Sequence, residues 1–351
     1  MLDFIQLAVL MRDARMHETP ALIIPSIRED SFKRFIKEWE PTGLFDRVDV
    51  ILIEDNPKKT FSFHDAVDIH ISWEDIDKQP WSWIIPRRSD TVRSYGYWLA
   101  WTMGYKLIMT LDDDCYPESG YEKLDELHKQ TLSRTRWFNT LNNVRPRGTP
   151  YKNLGKRDIW MNHGLWTNVL DYDAPQQLVD PIPETFTHDN RIVPHGAYFS
   201  FCGMNWMCRR DAIPLMYHML MGTRSLDGEL KEKFPTDRFG DIWCGLVMKK
   251  ILDHLGKAVS SGTPYIHHDR ASDPFTNLRK EANGIQINEW LWEAIDEIEL
   301  GDISTPAECY RHVGICFMKM WDRPNPGAQE YREYFERLGF AMMTWAKLFI
   351  V

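Results

Sequence analysis

The chain has 351 residues, a formal net charge of -9 and 43% hydrophobic residues. This length suits one large domain or two modest ones, and the composition is that of a globular protein. The acidic balance argues against nucleic acid as a partner. No apolar run approaches the ~20 residues that a membrane span needs, and residues 4–11 lack the basic flank of a signal peptide. The six cysteines form no Cys-x-x-Cys pair, which predicts a reduced cytoplasmic protein.

Short apolar runs alternate with helical patterns through the first third of the chain. We expect strands at residues 21–25, 48–53, 67–71 and 106–111. Ser31 is expected to cap a helix that reaches Trp39, and Asp90 a helix that reaches Met103. Strands that alternate with helices predict an α/β fold, a mostly parallel sheet flanked by helices.

Three consecutive carboxylates, Asp112, Asp113 and Asp114, end the fourth predicted strand. Three like charges repel each other, so a cation is expected among them. Mg²⁺ or Mn²⁺ held by carboxylate oxygens, and also by the oxygens of a diphosphate, meets this need. The carboxyl edge of an open sheet is where such folds bind ligands. A solvated acidic turn is the alternative, and the triplet alone does not separate the two.

Polar side chains near the other strand ends are candidates for binding a nucleotide. The chain has neither a G-x-G-x-x-G fingerprint nor a Walker A loop, which disfavours dinucleotide and P-loop proteins. Arg28, Arg88 and Arg93 have the guanidinium fork that suits phosphate oxygens. Asp55 is a candidate acceptor for a nucleoside, and Asp90 is grouped with it as a nucleotide-sugar ligand. Surface arginines and a turn aspartate are the ordinary alternatives.

Two segments in the middle of the chain are further candidates for nucleotide-sugar binding. Residues 163–175 mix polar and aromatic side chains, as functional loops do. We interpret this segment as a lid and include His163 and Trp166 among the binding residues. Asn205, the one amide in a small apolar stretch, is included with them.

Two candidates follow in the second half of the chain. Asp241 precedes an apolar helix expected over residues 242–255, and either caps that helix or takes part in catalysis. His268 follows a short predicted strand, and either completes a carboxylate site for Mn²⁺ or lies on the surface. The last residues, including 329–349, predict helices that pack on the protein or contact another subunit.

Many of these segments are shared, in the same order, with one known family. They are Ile24–Arg28, Arg93–Tyr97, Asp112–Cys115, Phe138–Leu141, His163–Trp166, Asp171–Pro175, Cys202–Asn205, Asp241–Trp243, Asp253–Gly256 and Ala271–Leu278. The chain resembles the reversibly glycosylated polypeptide family, whose plant members are UDP-arabinopyranose mutases. One departure is Gly240-Asp241, where the family has two aspartates.

The resemblance implies a fold, an activity and a set of site residues. It implies a glycosyltransferase-A-like nucleotide-sugar domain over residues 1–285 and a helical extension over residues 286–351. Asp112 and Asp113 would bind the nucleotide, and Asp112, Asp114 and His268 would hold Mn²⁺ or Mg²⁺. Arg147 would match the arginine that becomes glycosylated, and Arg157 a second arginine needed there. Asp241 would act with these two arginines in catalysis.

Three functions remain open from the sequence. The first is a UDP-sugar mutase that interconverts pyranose and furanose forms, with UDP-L-arabinose as the expected substrate. The second is a retaining or self-glycosylating glycosyltransferase with a UDP-sugar donor. The third is a non-catalytic nucleotide-sugar binding protein, which the complete set of candidate residues disfavours. Whether the chain forms a homo-oligomer is also left open.

Overall fold

A computed structural model of the chain describes residues 17–62, 65–133, 135–137, 147–148, 156–179, 190–226, 229–269, 273–324 and 327–350. Within these residues a ten-stranded mixed sheet forms the centre of the fold, and helices cover both of its faces. The strands of the described part are β1 (Ala21–Ser26), β2 (Asp49–Glu54), β3 (Ile69–Ile71), β4 (Leu107–Leu111), β5 (Cys115–Pro117), β6 (Thr135–Trp137), β7 (Lys156–Asn168), β8 (Arg191–Ile192), β9 (Asn205–Arg209), β10 (Thr223–Leu226), β11 (Glu229–Lys233) and β12 (Ala258–His268).

The strand order fixes which strand ends meet at one edge of the sheet. The main path of described strands is β3-β2-β1-β4-β9-β7-β12-β5, while β6 pairs with β7, β8 with β12, and β10 with β11 in a separate ribbon. The pairs β2–β3, β1–β2, β1–β4 and β7–β12 are parallel. Strand β9 is antiparallel to both β4 and β7, so β1, β2, β4, β7 and β12 all run in the same direction. The predicted mostly parallel sheet is therefore confirmed, with antiparallel insertions that the sequence did not indicate.

The α-helices of the described residues cover the two faces. They are α1 (Glu29–Trp39), α2 (Trp73–Ile76), α3 (Arg93–Thr102), α4 (Leu124–Leu132), α5 (Ala174–Val179), α6 (Gly240–His254), α7 (Pro274–Asp296), α8 (Pro306–Phe317) and α9 (Arg332–Lys347). Helix α1 is amphipathic, and its buried stripe includes Phe32, Phe35 and Trp39. Helix α3 is buried almost throughout, as expected of a helix enclosed between the sheet and further helices.

The carboxyl-terminal helices share a core with the sheet. One hydrophobic cluster contains Ile23 and Ile51 of the sheet together with Trp345 of α9. Helices α8 and α9 pack closely at two glycines, because a Cβ atom on Gly339 would lie 2.4 Å from the carbonyl oxygen of Gly314. The domain boundary predicted at residue 285 falls inside the continuous helix α7. The segment after this boundary shares a hydrophobic cluster with the sheet, and its predicted role in subunit contact stays a prediction.

Several local predictions need correction. Ser31 lies inside α1, which begins at Glu29, and Ser89 rather than Asp90 provides the side-chain cap of its helical segment. Helix α6 begins one residue before Asp241, so Asp241 is not its cap. The predicted lid is divided between three elements: residues 163–168 belong to the second half of β7, residues 169–173 form a loop, and residues 174–175 begin α5. None of the described helices is long and apolar enough to cross a membrane.

Candidate functional site

One pocket of about 680 Å³ lies at the carboxyl edge of the sheet. Its volume is within the range of ~300–1,000 Å³ that small-molecule sites occupy. Strand β4 delivers Asp112 and Asp114 to the pocket, and β12 delivers His268. Asp241, from the first turn of α6, lines another part of its wall. The common direction of β4 and β12 explains why Asp114 and His268, 154 positions apart in sequence, meet here, since parallel strands end at the same edge.

Arg93 forms the most connected charged group of this pocket. Its Nη2 lies 2.7 Å from Asp112 Oδ1 and 2.5 Å from Asp90 Oδ1, and its Nη1 donates to the carbonyl of Gly203 at 2.5 Å. The second oxygen of Asp90 contacts Nδ1 of His218. Burial alone would raise the pKa of Asp90, but Arg93 and His218 lower it overall. Asp90, Arg93 and Asp112 thus form a compensated wall, in which each carboxylate has a cationic partner.

Asp113 links the acidic triplet to the end of β1. Its carboxylate accepts from Ser26 Oγ at 2.6 Å and from Arg28 Nη2 at 3.2 Å. Burial raises the pKa of Asp113, and these two donors counteract the increase. Arg28 itself is half exposed and lines the pocket. Asp113 therefore positions the triplet and Arg28 through its hydrogen bonds, and it does not line the pocket itself.

Asp114 and His268 have the chemistry of a divalent-metal site. The antiparallel pairing of β5 with β12 places them side by side, with His268 Nε2 3.9 Å from Asp114 Oδ1. His268 Nδ1 lies 2.8 Å from the carbonyl of Val169, so Nδ1 is the protonated nitrogen in the neutral ring and Nε2 has a free electron pair. A backbone acceptor on the second nitrogen is what fixes a histidine ligand for metal binding.

The electrostatic surroundings of Asp114 also suit a cation. Burial, followed by the charges of Asp112 and Asp113, raises the pKa of Asp114 to about 7. Carboxylate and imidazole donors together suit Mn²⁺, and carboxylates suit Mg²⁺. Among the described residues no three His, Cys, Asp or Glu side chains yet converge closely enough to share an ion. The residues present fit the predicted metal in donor type, with Asp112 as a third ligand that would have to move closer.

Asp241 lies in a part of the pocket where negative charge is not compensated. Its Oδ2 accepts from the backbone N–H of Gly203 at 2.9 Å. Burial, followed by the charges of Asp90 and Asp171, raises the pKa of Asp241 to about 8. Because this value is close to neutral pH, the carboxyl group can accept and donate a proton under ordinary conditions. Asp241 is therefore the strongest candidate in the pocket for acid–base chemistry.

His163 and Trp166 line the pocket, but the ring nitrogens of His163 have hydrogen-bond partners within the protein. Both ring nitrogens of His163 have partners: Nε2 accepts from the N–H of Cys202 at 3.2 Å, and Nδ1 lies 3.0 Å from Ser261 Oγ. Burial lowers the pKa of His163 to about 3, so the ring is neutral. Trp166 packs edge-on against that ring. These two side chains form an aromatic wall of the pocket.

Asn205, predicted to bind the nucleotide sugar, lies in the core instead. Its Nδ2 donates to the carbonyls of Leu165 at 2.9 Å and Pro264 at 3.0 Å, and its Oδ1 lies 3.1 Å from His128 Nε2. The residue is fully buried. Its amide thus joins β9 to neighbouring backbone, because a buried amide has to satisfy both its donors and its acceptor.

Asp55 and Arg88 meet each other at the end of β2, outside the main pocket. Asp55 is buried and accepts from Trp73 Nε1 at 2.6 Å. The guanidinium of Arg88 lies 5.4 Å from the centre of a Trp73 ring and donates to Asn56 Oδ1 at 3.3 Å. Strand β2 adjoins β1, so this cluster continues the same sheet edge. Its predicted role in nucleotide binding stays a prediction.

The two arginines implied by the resemblance are not brought to the pocket by the described residues. Arg147 is exposed in a two-residue described segment, and the residues on both sides of it lie outside the described part. Arg157 is at the amino end of β7, beside Gly256. His163 is six residues further along that strand, which corresponds to ~20 Å. The position of Arg157 therefore gives no support to the catalytic role that the resemblance implies for it in this pocket.

The structure adds residues that the sequence did not single out. Asp171, Arg238 and Glu281 line the pocket together with Cys202. The thiol of Cys202 lies 2.7 Å from Asp171 Oδ2. The position of Arg238, three residues before Asp241, was a signal in the sequence, but its pairing with Glu281 is a tertiary contact that no local pattern predicts.

Comparison of the sequence with known proteins identifies the family of the chain. The sequence profile described as reversibly glycosylated polypeptide matches residues 16–350. The chain belongs to this family. UDP-arabinopyranose mutase 3 of Arabidopsis thaliana is 33% identical over 344 residues, which cover 92% of this chain and 89% of the relative. UDP-arabinopyranose mutase 1 of Oryza sativa subsp. japonica is 33% identical over 363 residues, with 96% and 93% covered.

A distant solved structure is glucosyl-3-phosphoglycerate synthase from Mycobacterium tuberculosis, determined in complex with Mg²⁺ and UDP. It has a TM-score of 0.39 and 11% sequence identity, and the match covers 83% of this chain and 81% of that one.

Proposed function

We propose that this chain is a UDP-sugar mutase that interconverts the pyranose and furanose forms of a UDP-pentose, with UDP-L-arabinose as the expected substrate. Family membership and the names of the plant relatives support this activity. The structural observation that carries the proposal is the composition of one pocket. It combines a metal-type group, Asp114 with His268, and a partly buried carboxyl, Asp241, whose pKa is raised to about 8.

The UDP part of the substrate would lie along the strand ends. Asp112 uses Oδ1 to accept from Arg93, which leaves Oδ2 for a ribose hydroxyl. Arg28 is half exposed at the same edge and suits a phosphate oxygen. Asp114 and His268 would hold Mn²⁺ or Mg²⁺, which would neutralise the charge that develops on the diphosphate.

In the conversion of pyranose to furanose, the bond from the anomeric carbon to the phosphate oxygen breaks and re-forms, the C1–O5 ring bond is exchanged for a C1–O4 bond, and one proton moves from O4 to O5. The bond between the anomeric carbon and the β-phosphate oxygen breaks, and its electron pair leaves with UDP. The C4 hydroxyl then loses its proton as O4 replaces O5 in the ring, and O5 gains a proton. The phosphate oxygen finally returns to the anomeric carbon. Asp241 is suited to accept the first proton and return the second, because its pKa is about 8.

Exclusion of water decides between a mutase and a hydrolase, since water would otherwise trap the sugar. Tyr172, Tyr198, Phe201 and Ile285 line the pocket along with the charged groups. Tyr172 is in the short loop of residues 169–173, between β7 and α5. We infer that this loop, rather than the longer segment predicted from the sequence, covers the sugar.

Two further predictions belong to this proposal. The glycosylated arginine remains Arg147, whose exposed position in the described segment leaves it open to modification. A cytoplasmic location is supported by the state of the cysteines: all six are free thiols.

The test is direct. Pure protein is incubated with UDP-β-L-arabinofuranose and Mn²⁺, and the two ring forms of the nucleotide sugar are separated by chromatography. We expect UDP-arabinopyranose to appear without free UDP, and Asp241→Asn to abolish its appearance. Release of UDP together with sugar attached to protein or to an acceptor would instead identify a glycosyltransferase.

A further inference from the structure

The charge balance of the pocket is unfavourable for a diphosphate. Eight carboxylate residues line it in the described chain: Asp90, Asp112, Asp114, Asp171, Asp173, Asp241, Glu281 and Glu289. Three arginines line it as well, Arg28, Arg93 and Arg238. Arg93 is committed to Asp90, Asp112 and the carbonyl of Gly203, so it has little capacity left for a ligand. The question is then which cation faces the phosphate next to the sugar.

Arg238 is held in a way that leaves the end of its side chain available. Its Nε donates to Glu281 Oε1 at 2.7 Å, and this is the side-chain contact the structure gives it among the described residues. Both Nη groups are therefore left without a hydrogen-bond partner in that part of the chain, and the side chain is 32% exposed in the pocket wall. A guanidinium anchored through Nε presents its two outer nitrogens as a fork, the geometry that matches phosphate oxygens.

Glu281 holds Arg238 and the pocket loop together. Its side chain is 4% exposed, and its Oε2 accepts from the N–H of Ala174 at 2.7 Å, at the start of α5. The loop of residues 169–173 precedes this point, and the carbonyl of Val169 contacts His268. Arg238 is thus joined through Glu281 to the segment that runs to the candidate metal ligand. Burial alone would lower the pKa of Arg238, but the hydrogen bond to Glu281 and the charges of Asp171 and Asp241 raise it, and both aspartates line the same pocket.

The backbone of Arg238 is strained. Its φ angle is +65°, in the left-handed region that residues with a Cβ atom seldom adopt. The other described non-glycine residues with positive φ are Arg88, beside Asp55, and Asn168, whose amide donates to the carbonyl of His268. All three lie around the sheet edge that forms the site. Strain of this kind persists where the surrounding structure imposes it, and it concentrates at functional sites.

We propose that Arg238 binds the β-phosphate of the nucleotide and that Glu281 positions its guanidinium for this contact. The inference rests on the proposed function, since the phosphates are the anionic groups of a UDP-pentose. When the bond to the anomeric carbon breaks, Arg238 holds the departing phosphate beside the sugar, so that it returns instead of diffusing away.

Binding of UDP and UMP separates the β-phosphate from the rest of the nucleotide. Calorimetric titrations with Mn²⁺ present compare wild type, Arg238→Gln and Arg323→Gln. Arg323 is a matched control, because it is 29% exposed and pairs with a glutamate, Glu297, outside the pocket. We expect Arg238→Gln to weaken UDP binding ~10–100-fold, as for a charged hydrogen bond, and to change UMP binding less than threefold. Equal effects on UDP and UMP, or no effect, would overturn the proposal.

Two more variants guard against a folding defect. Arg238→Gly removes the side chain, relieves the positive φ and leaves Glu281 without its cation, so it should bind UDP as weakly as Arg238→Gln; circular dichroism confirms that the variant is folded at the titration temperature. Glu281→Gln keeps an oxygen that accepts the hydrogen bond from Ala174, but it has no second oxygen to accept the hydrogen bond from Arg238 Nε. It should show a smaller loss of UDP binding, with UMP again unchanged. Normal UDP binding in a folded Arg238→Gly would contradict the assignment.

The ratio of ring interconversion to hydrolysis completes the test. In turnover, Arg238→Gln should release more free UDP and arabinose for each ring interconversion than wild type does. Failure of the proposed function is visible separately, as absence of interconversion by the wild-type protein whatever the binding data show. If the wild type interconverts the sugar and Arg238→Gln has the same UDP affinity and the same partition, the role of Arg238 is refuted and the proposed function stands.

Discussion

Two walls of the same pocket shift the pKa values of partly buried carboxyl groups in opposite directions. In the compensated wall, Asp90 contacts Arg93 and His218, and its pKa is lowered. In the wall at the start of α6, Asp241 accepts the backbone N–H groups of Gly203 and Ile242 and faces the charges of Asp90 and Asp171, and its pKa rises to about 8. When two carboxyl groups of one pocket have pKa values shifted in opposite directions, one of them is suited to a structural role and the other to proton transfer. The carboxylates beside Arg93 stay ionised, whereas the carboxyl group of Asp241 can gain or lose a proton.

The largest expected effect is on stability and follows from removing Arg93. Arg93→Met leaves Asp90 and Asp112 without their cation in a buried position, which costs about 3–5 kcal/mol of unfolding free energy. Urea denaturation measures it. Arg323→Met, in an exposed pair, should cost less than about 1 kcal/mol. A loss from Arg93→Met as small as that of the control would show that the wall is not a compensated network.

The next effect is on activity and concerns the candidate metal ligands. Asp114→Asn and His268→Gln should each lower kcat/KM at least ~100-fold, since the ligand set loses one donor. Removal of divalent ions with a chelator should do the same, and Mn²⁺ should restore the activity. His267→Gln is the matched control: it neighbours His268 on β12, but its side chain is 42% exposed and lies near Glu118. Full activity of His268→Gln would exclude His268 as a ligand.

A smaller effect, visible only as a pH dependence, isolates Asp241. Its folded pKa of about 8 is above the unfolded value of 3.8, so its contribution to stability is complete below pH 3.8 and is lost as the pH rises towards 8. Asp241→Asn cannot ionise and still offers an oxygen to Gly203. Relative to wild type, its unfolding free energy should therefore increase by up to ~1 kcal/mol per pH unit between pH 5 and 7. A difference that does not vary with pH would contradict the uncompensated environment of Asp241.

The smallest effect is expected at Arg157. Its position at the amino end of β7, beside Gly256, keeps it away from the pocket. Arg157→Gln should change kcat/KM less than threefold, measured with the same interconversion assay. A loss comparable to that of Asp114→Asn would show that Arg157 reaches the substrate in a conformation other than the one described.

Sequence reasoning worked where local patterns determine the structure. Continuous apolar runs predicted β1, β2 and β4, because central parallel strands are buried on both faces. The triplet Asp112–Asp114 was identified correctly as a strand-end group, since its place at the sheet edge follows directly from β4. His268 was paired with the triplet on chemical grounds, and the β5–β12 pairing is what brings them together.

The sequence was insufficient where long-range contacts decide the role of a side chain. Asn205 has the composition of a binding residue, but two backbone carbonyls and His128 occupy its amide. Asp241 fits the pattern of a helix cap, yet the helix begins before it and the carboxyl points to Gly203. Arg238 was passed over because its meaning depends on Glu281, 43 residues away.

The measurement that tests the central claim most directly is positional isotope exchange. UDP-arabinofuranose is prepared with ¹⁸O in the oxygen that bridges the anomeric carbon and the β-phosphate, and is incubated with the protein and Mn²⁺. We expect the label to spread into the non-bridging β-phosphate oxygens of both ring forms while free UDP stays at the background level. This result requires the bond to break and the same phosphate to return within a closed pocket. Ring interconversion with the label still entirely in the bridging position would contradict the account.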